Sequence, residues 1–378
     1  MSPVTRVRSF VYRYPLNKPV VTSFGSMHDR PAVLVCVEDR DGAMGWGEVW
    51  CNFPHCGAEH RARLIDSLIA PRLLGLFPDD PLKIFSRMEK QLHVLGLQTA
   101  EFGPIAQVLA GMDIALWDLK ARRAGLPLRK LLNDEASDTI PVYASGISPD
   151  AVDHIVPAVR SEGHRAYKLK VGFGKEKDVA AARLLRDMLK ADENMMLDAN
   201  QAWNEETATS NAAALEEFEP AWLEEPLPAD SDWKTWKKLA ESTSIPLAAG
   251  ENIRGLPAFE EAATSGALRV VQPDICKWGG FSGCAPAADI IRKANLVYCP
   301  HYLGAGIGLM ASAQLLSASR STGLLEIDCN PNPLRTLLAQ PYPPINAGRM
   351  RMPDSPGLGV IPAIEETKSW CCQTTEAH

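Results

Sequence analysis

Residues 195–227 read MMLDANQAWNEETATSNAAALEEFEPAWLEEPL: an apolar run ending in an acid, a polar turn, an Ala-rich stretch, then a second apolar run ending in two acids. That is the pattern of one strand, one loop and one helix, and it recurs along the chain. Apolar runs begin near Pro141, Tyr167, Met195, Ala221, Ile245, Leu268, Leu296 and Leu324, with starts 23 to 28 residues apart. Repeated units of this length fit a closed barrel better than an open sheet, which predicts a (β/α)7β-type TIM barrel over residues 129–328.

Upstream, residues 1–128 read as a separate α+β capping domain. Strands are predicted over Thr5–Tyr14, Ala32–Val37 and Ala43–Val49, with a turn at Asp39–Gly42. Helices follow over Ala58–Ile69, about Pro81–Val94, and Pro104–Arg123, where Gly125 and Pro127 stop the last one. After Glu326 the rhythm ends. Residues 329–378 carry Pro331, Pro333, Pro341, Pro343 and Pro344 and are expected to pack back mainly on the capping domain, with an unstructured polar tip.

The composition excludes several roles. A net charge of −7 gives no electrostatic case for nucleic acid or an anionic membrane. No apolar stretch reaches about 18 residues and the start lacks a leader pattern, so a cytoplasmic location is expected. The nine cysteines are scattered and read as core or incidental thiols rather than a disulfide lattice, and adjacent Cys371 and Cys372 do not make a metal site.

The chemistry sits at the strand ends, which a barrel gathers around one mouth. Asp198, Glu224 and Glu251 follow successive strands and can aim oxygen ligands at one centre. Such a hard, acidic set favours Mg2+, with Mn2+ as a substitute. Singly each acid reads as a cap or surface residue; together they read as ligands. Glu225 stays ambiguous, either pairing with a lysine or supporting the metal ligands. Asn200 is a candidate donor to substrate or water.

Lys168 and Lys170 flank Leu169, so an extended strand puts both amines on one face, and mutual repulsion is expected to lower the pKa of Lys170 toward that of a base. His301 ends the seventh run and Asp274 the sixth; an aspartate on one imidazole nitrogen fixes the tautomer and raises basicity at the other. Glu326, from the eighth, donates a proton or hydrogen bond to a substrate carboxylate on the condition that its pKa is raised. Lys170 and His301 then address opposite faces of one carbon beside that carboxylate, where proton removal needs stabilised enediolate charge. The bland alternatives are solvent-facing lysines, a structural histidine and a barrel-end ion pair.

The ordered set YKLKVG, LDANQAW, WLEEP, AAGEN, QPDICKWGG and CPHYLG resembles the enolase superfamily, and within it the mandelate racemase-like subgroup, over roughly residues 5–365. Lysine or histidine bases with magnesium-stabilised enediolates are that superfamily's known chemistry. The resemblance implies that Asp198, Glu224 and Glu251 bind Mg2+, that Lys170 faces one side of the substrate and the His301/Asp274 dyad the other, and that Lys168 tunes Lys170 and contacts the carboxylate. Lys277 is expected to be a supporting residue. The resemblance also implies that loops of the capping domain select substrate. Here these are Phe24–Arg30 and Trp50–His55, offering His28, Arg30, Asn52 and His55 to hydroxyls or a distal anion. A homo-oligomer acting on a small-molecule carboxylate is implied too.

Three functions compete. Dehydration of a sugar acid or related hydroxy acid comes first, and racemisation or epimerisation of a 2-hydroxy acid second. A non-catalytic binding barrel is the alternative from a different class.

Overall fold

The computed structural model describes residues 2–22 and 25–378. The capping domain is built on a four-stranded antiparallel sheet of β1 (Val4–Thr22), β2 (Gly25–Asp39), β3 (Met44–Val49) and a C-terminal strand, with β1 and β2 central. Period-two alternation in β2 explains its place. Val33, Val35 and Val37 pack on the helices of the capping domain, whereas Ala32, Leu34 and Cys36 join the barrel-side core. Both faces are therefore buried. β1 and β2 also run longer than the sequence predicts, pairing Val20 with Met27 and Val21 with Ser26, so the expected Phe24–Arg30 loop is strand from Gly25 onward. Phe24 itself lies outside the described residues.

The Phe102–Ala124 helix packs against β3 at backbone distance. A Cβ at Gly47 would stand 1.9 Å from the Gly111 carbonyl oxygen, so only glycine permits this approach. The helix stops at Gly125 in the left-handed conformation, as its sequence predicts.

The barrel strands are β4 (Thr139–Ile147), β5 (Ala166–Lys170), β6 (Asn194–Asp198), β7 (Leu223–Glu224), β8 (Leu247–Ala249), β9 (Val270–Val271), β10 (Val297–Tyr298) and β11 (Leu325–Asp328). Successive strands pair in parallel from β4 to β10, and β11 returns to β4 with Leu325 opposite Val142. A helix fills each of the seven connections, which gives the (β/α)7β barrel.

The C-terminal segment joins both halves. β12 (Ile345–Asn346) and β13 (Arg349–Arg351) form a hairpin, and β13 lies antiparallel on β4, with Met350 opposite Ile140. The last residues are not unstructured: β14 (Cys371–Ala377) is the edge strand beside β1, with Val7 opposite Ala377 and the Ser9 and Thr375 hydroxyls 2.8 Å apart. The open edge of β1 supplies the backbone partners that the polar tail lacks by itself. All nine cysteines are free. No helix among the described residues is long and apolar enough to cross a membrane.

Candidate active site

Strand register builds the site. Lys170 lies opposite Asp198 and Asp198 opposite Glu224, so one row across β5, β6 and β7 carries an amine and two carboxylates. Glu251 enters from the turn after β8, Asp274 from the turn after β9, His301 from the segment after β10 and Glu326 from β11. The Asp198, Glu224, Asp274, His301 and Glu326 side chains are buried.

The chain reverses sharply after β6, where Asn200 and Gln201 both take positive φ, 45° and 64°. Asn200 consequently folds back instead of continuing the strand face. Its backbone N–H donates to Asp198 Oδ1 (2.9 Å) and its Oδ1 accepts from Lys170 Nζ (2.8 Å). Glu225 has φ 39° and turns from Glu224 toward Asn252 (2.8 Å) and Gln201 (3.1 Å). Lys277 donates to Glu251 Oε1 (2.8 Å) and lies over the Trp50 ring of the capping domain, making it a support for Glu251.

Lys168 departs from its expected place at the substrate. It is fully buried beneath the mouth, donating to Glu224 (2.6 Å) and pairing with Glu326 (2.8 Å). The expected lowering of the Lys170 pKa is also corrected, and the condition set for Glu326 as a donor is not met. Burial pulls Lys170 down and Lys168 repels it, but Asp198, 2.6 Å from its Nζ, and Glu224 together outweigh them and leave its pKa raised. Glu326 is held at about 2: burial raises it, while Lys168, His301 and the Ser145 hydroxyl together lower it further. It is ionised and accepts hydrogen bonds, including one from the Tyr302 backbone N–H (2.9 Å).

His301 lies between two acids. Its Nδ1 is 2.8 Å from Asp274 Oδ2 and its Nε2 is 3.0 Å from Glu251 Oε2. Burial disfavours the imidazolium, yet Glu251, Glu326 and Asp274 raise the His301 pKa well above its ordinary value.

Among the described residues, no three His, Cys, Asp or Glu side chains are already closed into a cage for a metal ion. Lys168, Lys170, Lys277 and His301 bridge the acids instead. The donor set nonetheless fits a hard divalent cation. Six carboxylates, Asp198, Glu224, Glu225, Glu251, Asp274 and Glu326, face these four basic groups. Burial and then Asp198 push Glu224 up to about 7, and burial and then Glu251 push Glu225 up to about 8, as expected where negative charge exceeds its compensation.

Lys170, His301 and Glu326 line one cavity of about 310 Å3, together with Ser145, Asp150, Lys177 and Asn330 and with Pro19, Val20 and Val21 of the β1–β2 hairpin. The four residues expected to select substrate stand elsewhere, and among the described residues none of them lines this cavity. Arg30 is buried in an ion pair with Asp328, because the β2 register points it into the interface with the barrel. Asn52 donates to the Leu303 carbonyl (2.7 Å). His28 is exposed on β2. His55 is exposed beside Asp29 and lines a separate recess with Arg13, Cys56, Glu59, His60 and Arg63.

Sequence reasoning missed Gln272, which donates to Glu224 Oε2 (2.6 Å), and Ser145, which donates to Glu326. Ser145 ends the first apolar run as Lys170 ends the second, a signal open to reading; Gln272 was discernible only as part of QPD.

A parallel barrel carrying acids and bases on its strand ends beneath an α+β cap defines a carboxylate-centred barrel enzyme class. Residues 5–133 match the mandelate racemase / muconate lactonizing enzyme N-terminal domain, and residues 150–367 match the enolase C-terminal domain-like family. The chain belongs to the mandelate racemase-like subgroup of the enolase superfamily.

It is 30% identical over 374 residues to the D-galactarolactone cycloisomerase of Agrobacterium fabrum, covering 94% of this chain and 96% of that one. With the L-talarate/galactarate dehydratase of Salmonella typhimurium it shares 32% over 314 residues, 82% and 75% of the two chains. A solved mandelate racemase/muconate lactonizing enzyme from Bordetella bronchiseptica superposes with TM-score 0.90 at 50% identity, covering 98% and 99%. An L-talarate/galactarate dehydratase variant, solved with Mg and L-glucarate, superposes with TM-score 0.86 at 27% identity, covering 99% and 93%.

Proposed function

We propose that the protein dehydrates a sugar acid or related hydroxy acid in a magnesium-dependent reaction. The observation that carries this reading is that Lys170 and His301 line one cavity, Lys170 bonded to Asp198 and His301 to Glu251 and Asp274. Relatives whose names carry galactarolactone, talarate and galactarate support an acid-sugar substrate.

Asp198, Glu224 and Glu251 would hold the cation. When bound, it supplies Lewis-acid stabilisation of charge developing on the substrate carboxylate. With Asp198 and Glu224, the acids that raise the Lys170 pKa, engaged as cation ligands, Lys170 would lose the partners that hold its proton, and its free Nζ takes the proton from the carbon beside the carboxylate as the C–H electron pair moves onto the carboxylate oxygens. His301 then gives its proton to the β-hydroxyl as the C–O bond breaks, and water leaves. The resulting enol gains a proton at carbon and becomes a 2-keto-3-deoxy acid. Asp274 fixes the His301 ring throughout.

Racemisation or epimerisation is the second reading, favoured by the same two proton carriers acting across one carbon. A hydroxy-acid panel that includes galactarate, with Mg2+ in heavy water, tests both. Keto-acid formation supports dehydration, and inversion alone supports racemisation. Neither deuterium uptake nor keto acid with any panel member would reject both and favour a binding barrel. We further propose a cytoplasmic homo-oligomer that takes Mn2+ in place of Mg2+; light scattering of the purified protein tests the assembly.

A further inference from the structure

Glu48 is the penultimate residue of the β3 segment GWGEV of the capping domain and is buried at 3% exposure, yet it does not line the substrate cavity. Its Oε1 accepts from the Tyr302 hydroxyl (2.6 Å) and the Ala305 backbone N–H (2.6 Å), and its Oε2 accepts from the Gly308 backbone N–H (2.8 Å). These donors all belong to the segment that leaves His301 and opens the 14-residue Gly306–Ser319 helix. A carboxylate there satisfies orphan N–H groups and complements the positive helix end.

The fit is close. A Cβ at Gly304 would stand 2.8 Å from Glu48 Oε1 and 2.5 Å from the Tyr302 hydroxyl, so a glycine admits the carboxylate. Asn52, also from the capping domain, holds the Leu303 carbonyl. On the barrel side, the Tyr302 N–H is fixed to Glu326. The chain from Tyr302 to Gly308 is thus held by Glu326 of the barrel, by Asn332, which donates to the Gly304 carbonyl (3.0 Å), and by two capping-domain side chains, Glu48 and Asn52. Among the described residues, Lys170 is hydrogen-bonded by no capping-domain side chain. It sits on β5, hydrogen-bonded to Asp198 and Asn200, which are themselves barrel residues.

We propose that Glu48 is a positioning residue for His301: through Tyr302, Ala305 and Gly308 the capping domain holds the imidazole against Asp274, so proton transfer on the His301 face depends on the cap and transfer on the Lys170 face does not. The inference rests on the two-base reading above. It also assigns the capping domain a part in the chemistry, apart from covering the substrate.

Glu48→Gln is the direct test. Glutamine keeps the shape but offers one acceptor oxygen, and its NH2 faces a backbone donor. A displacement of His301 on the order of 1 Å would lower the His301-dependent step about 100-fold. The expected result in Glu48→Gln is therefore a kcat for keto-acid formation lowered to that extent, with KM and deuterium uptake through Lys170 unchanged. Tyr302→Phe, which removes one of the three donors, should show a smaller loss confined to the same face.

Equal losses on both faces, or no loss on either, would overturn the proposal. Should the wild type turn over no hydroxy acid, the two-base reading fails, and the crystal structure of Glu48→Gln still decides the positioning role. The His301–Asp274 contact should then lengthen beyond hydrogen-bonding range, and an unchanged 2.8 Å contact would refute the role. If Glu48→Gln does not fold, Tyr302→Phe supplies the same two readouts.

Discussion

His301 touches Asp274 through Nδ1 at 2.8 Å and Glu251 through Nε2 at 3.0 Å. An ionised aspartate only accepts, so Nδ1 carries a proton, and Nε2 is the nitrogen left to exchange one with substrate. Glu251 is at once the partner of that nitrogen and the proposed third cation ligand. Ligation at Glu251 would therefore free Nε2 toward the cavity, linking metal occupancy to the readiness of the acid.

Replacing His301 with Asn should abolish keto-acid formation while leaving one-sided deuterium uptake through Lys170. Asp274→Asn, which permits the wrong tautomer, should cut the same step by about 10^2- to 10^4-fold, the span of general acid–base contributions. Stopped and continuous keto-acid assays in heavy water check both. Dehydration at the wild-type rate in either variant would remove the dyad from the mechanism.

Glu224→Gln should weaken Mg2+ binding, measured by isothermal titration, by more than the roughly 10- to 100-fold typical of losing a supporting partner of a ligand. Affinity equal to that of the wild type would remove Glu224 from the ligand set. By linkage, Mg2+ at 100 times its Kd should stabilise the wild type by about 2.7 kcal/mol, and chelation should reverse the gain. A melting temperature indifferent to both would argue against a cation among these acids.

Buried His164 gives an acid-side prediction. Burial is the larger influence and Arg335 the smaller, and they lower its pKa from 6.5 to about 4, so the folded state holds it neutral. Below pH 6.5 the unfolded chain binds a proton that the native chain refuses. Stability should consequently fall by about 1.4 kcal/mol per pH unit as pH drops from 6.5 toward 4. His164→Gln should flatten that slope in denaturant titrations, and an unchanged slope would contradict the assignment.

Deleting Cys371–Ala377 should lower stability by about 1–2 kcal/mol, since several net hydrogen bonds of β14 on β1 are lost against regained chain entropy. Urea unfolding of the truncated chain measures this. No change would mean that the edge strand contributes nothing in solution.

The barrel and its strand-end acids were legible because both depend on local order: a repeat period and an acid at the end of each apolar run. The same logic exposed Lys170, Asp274 and His301. It failed where partners come from distant sequence. Arg30 looked like a loop cation until β2 register carried it to Asp328, nearly 300 residues away. The polar tail has no strand signal of its own and pairs only because β1 presents an edge. Lys168 and Lys170 were read as repelling each other, but Asp198 and Glu224 on the neighbouring strands dominate both. Glu48, in a strand otherwise read as structural, acquires its role only when the cap meets the segment after β10.

The most direct test of the central claim is hydrogen exchange at the carbon beside the carboxylate, measured by NMR in heavy water for wild type, Lys170→Ala and His301→Asn. If a cation at Asp198, Glu224 and Glu251 anchors the acid between two bases, exchange should require Mg2+ and disappear in Lys170→Ala, while His301→Asn retains uptake on one face only. Exchange that persists under chelation, or is identical in all three proteins, would contradict it.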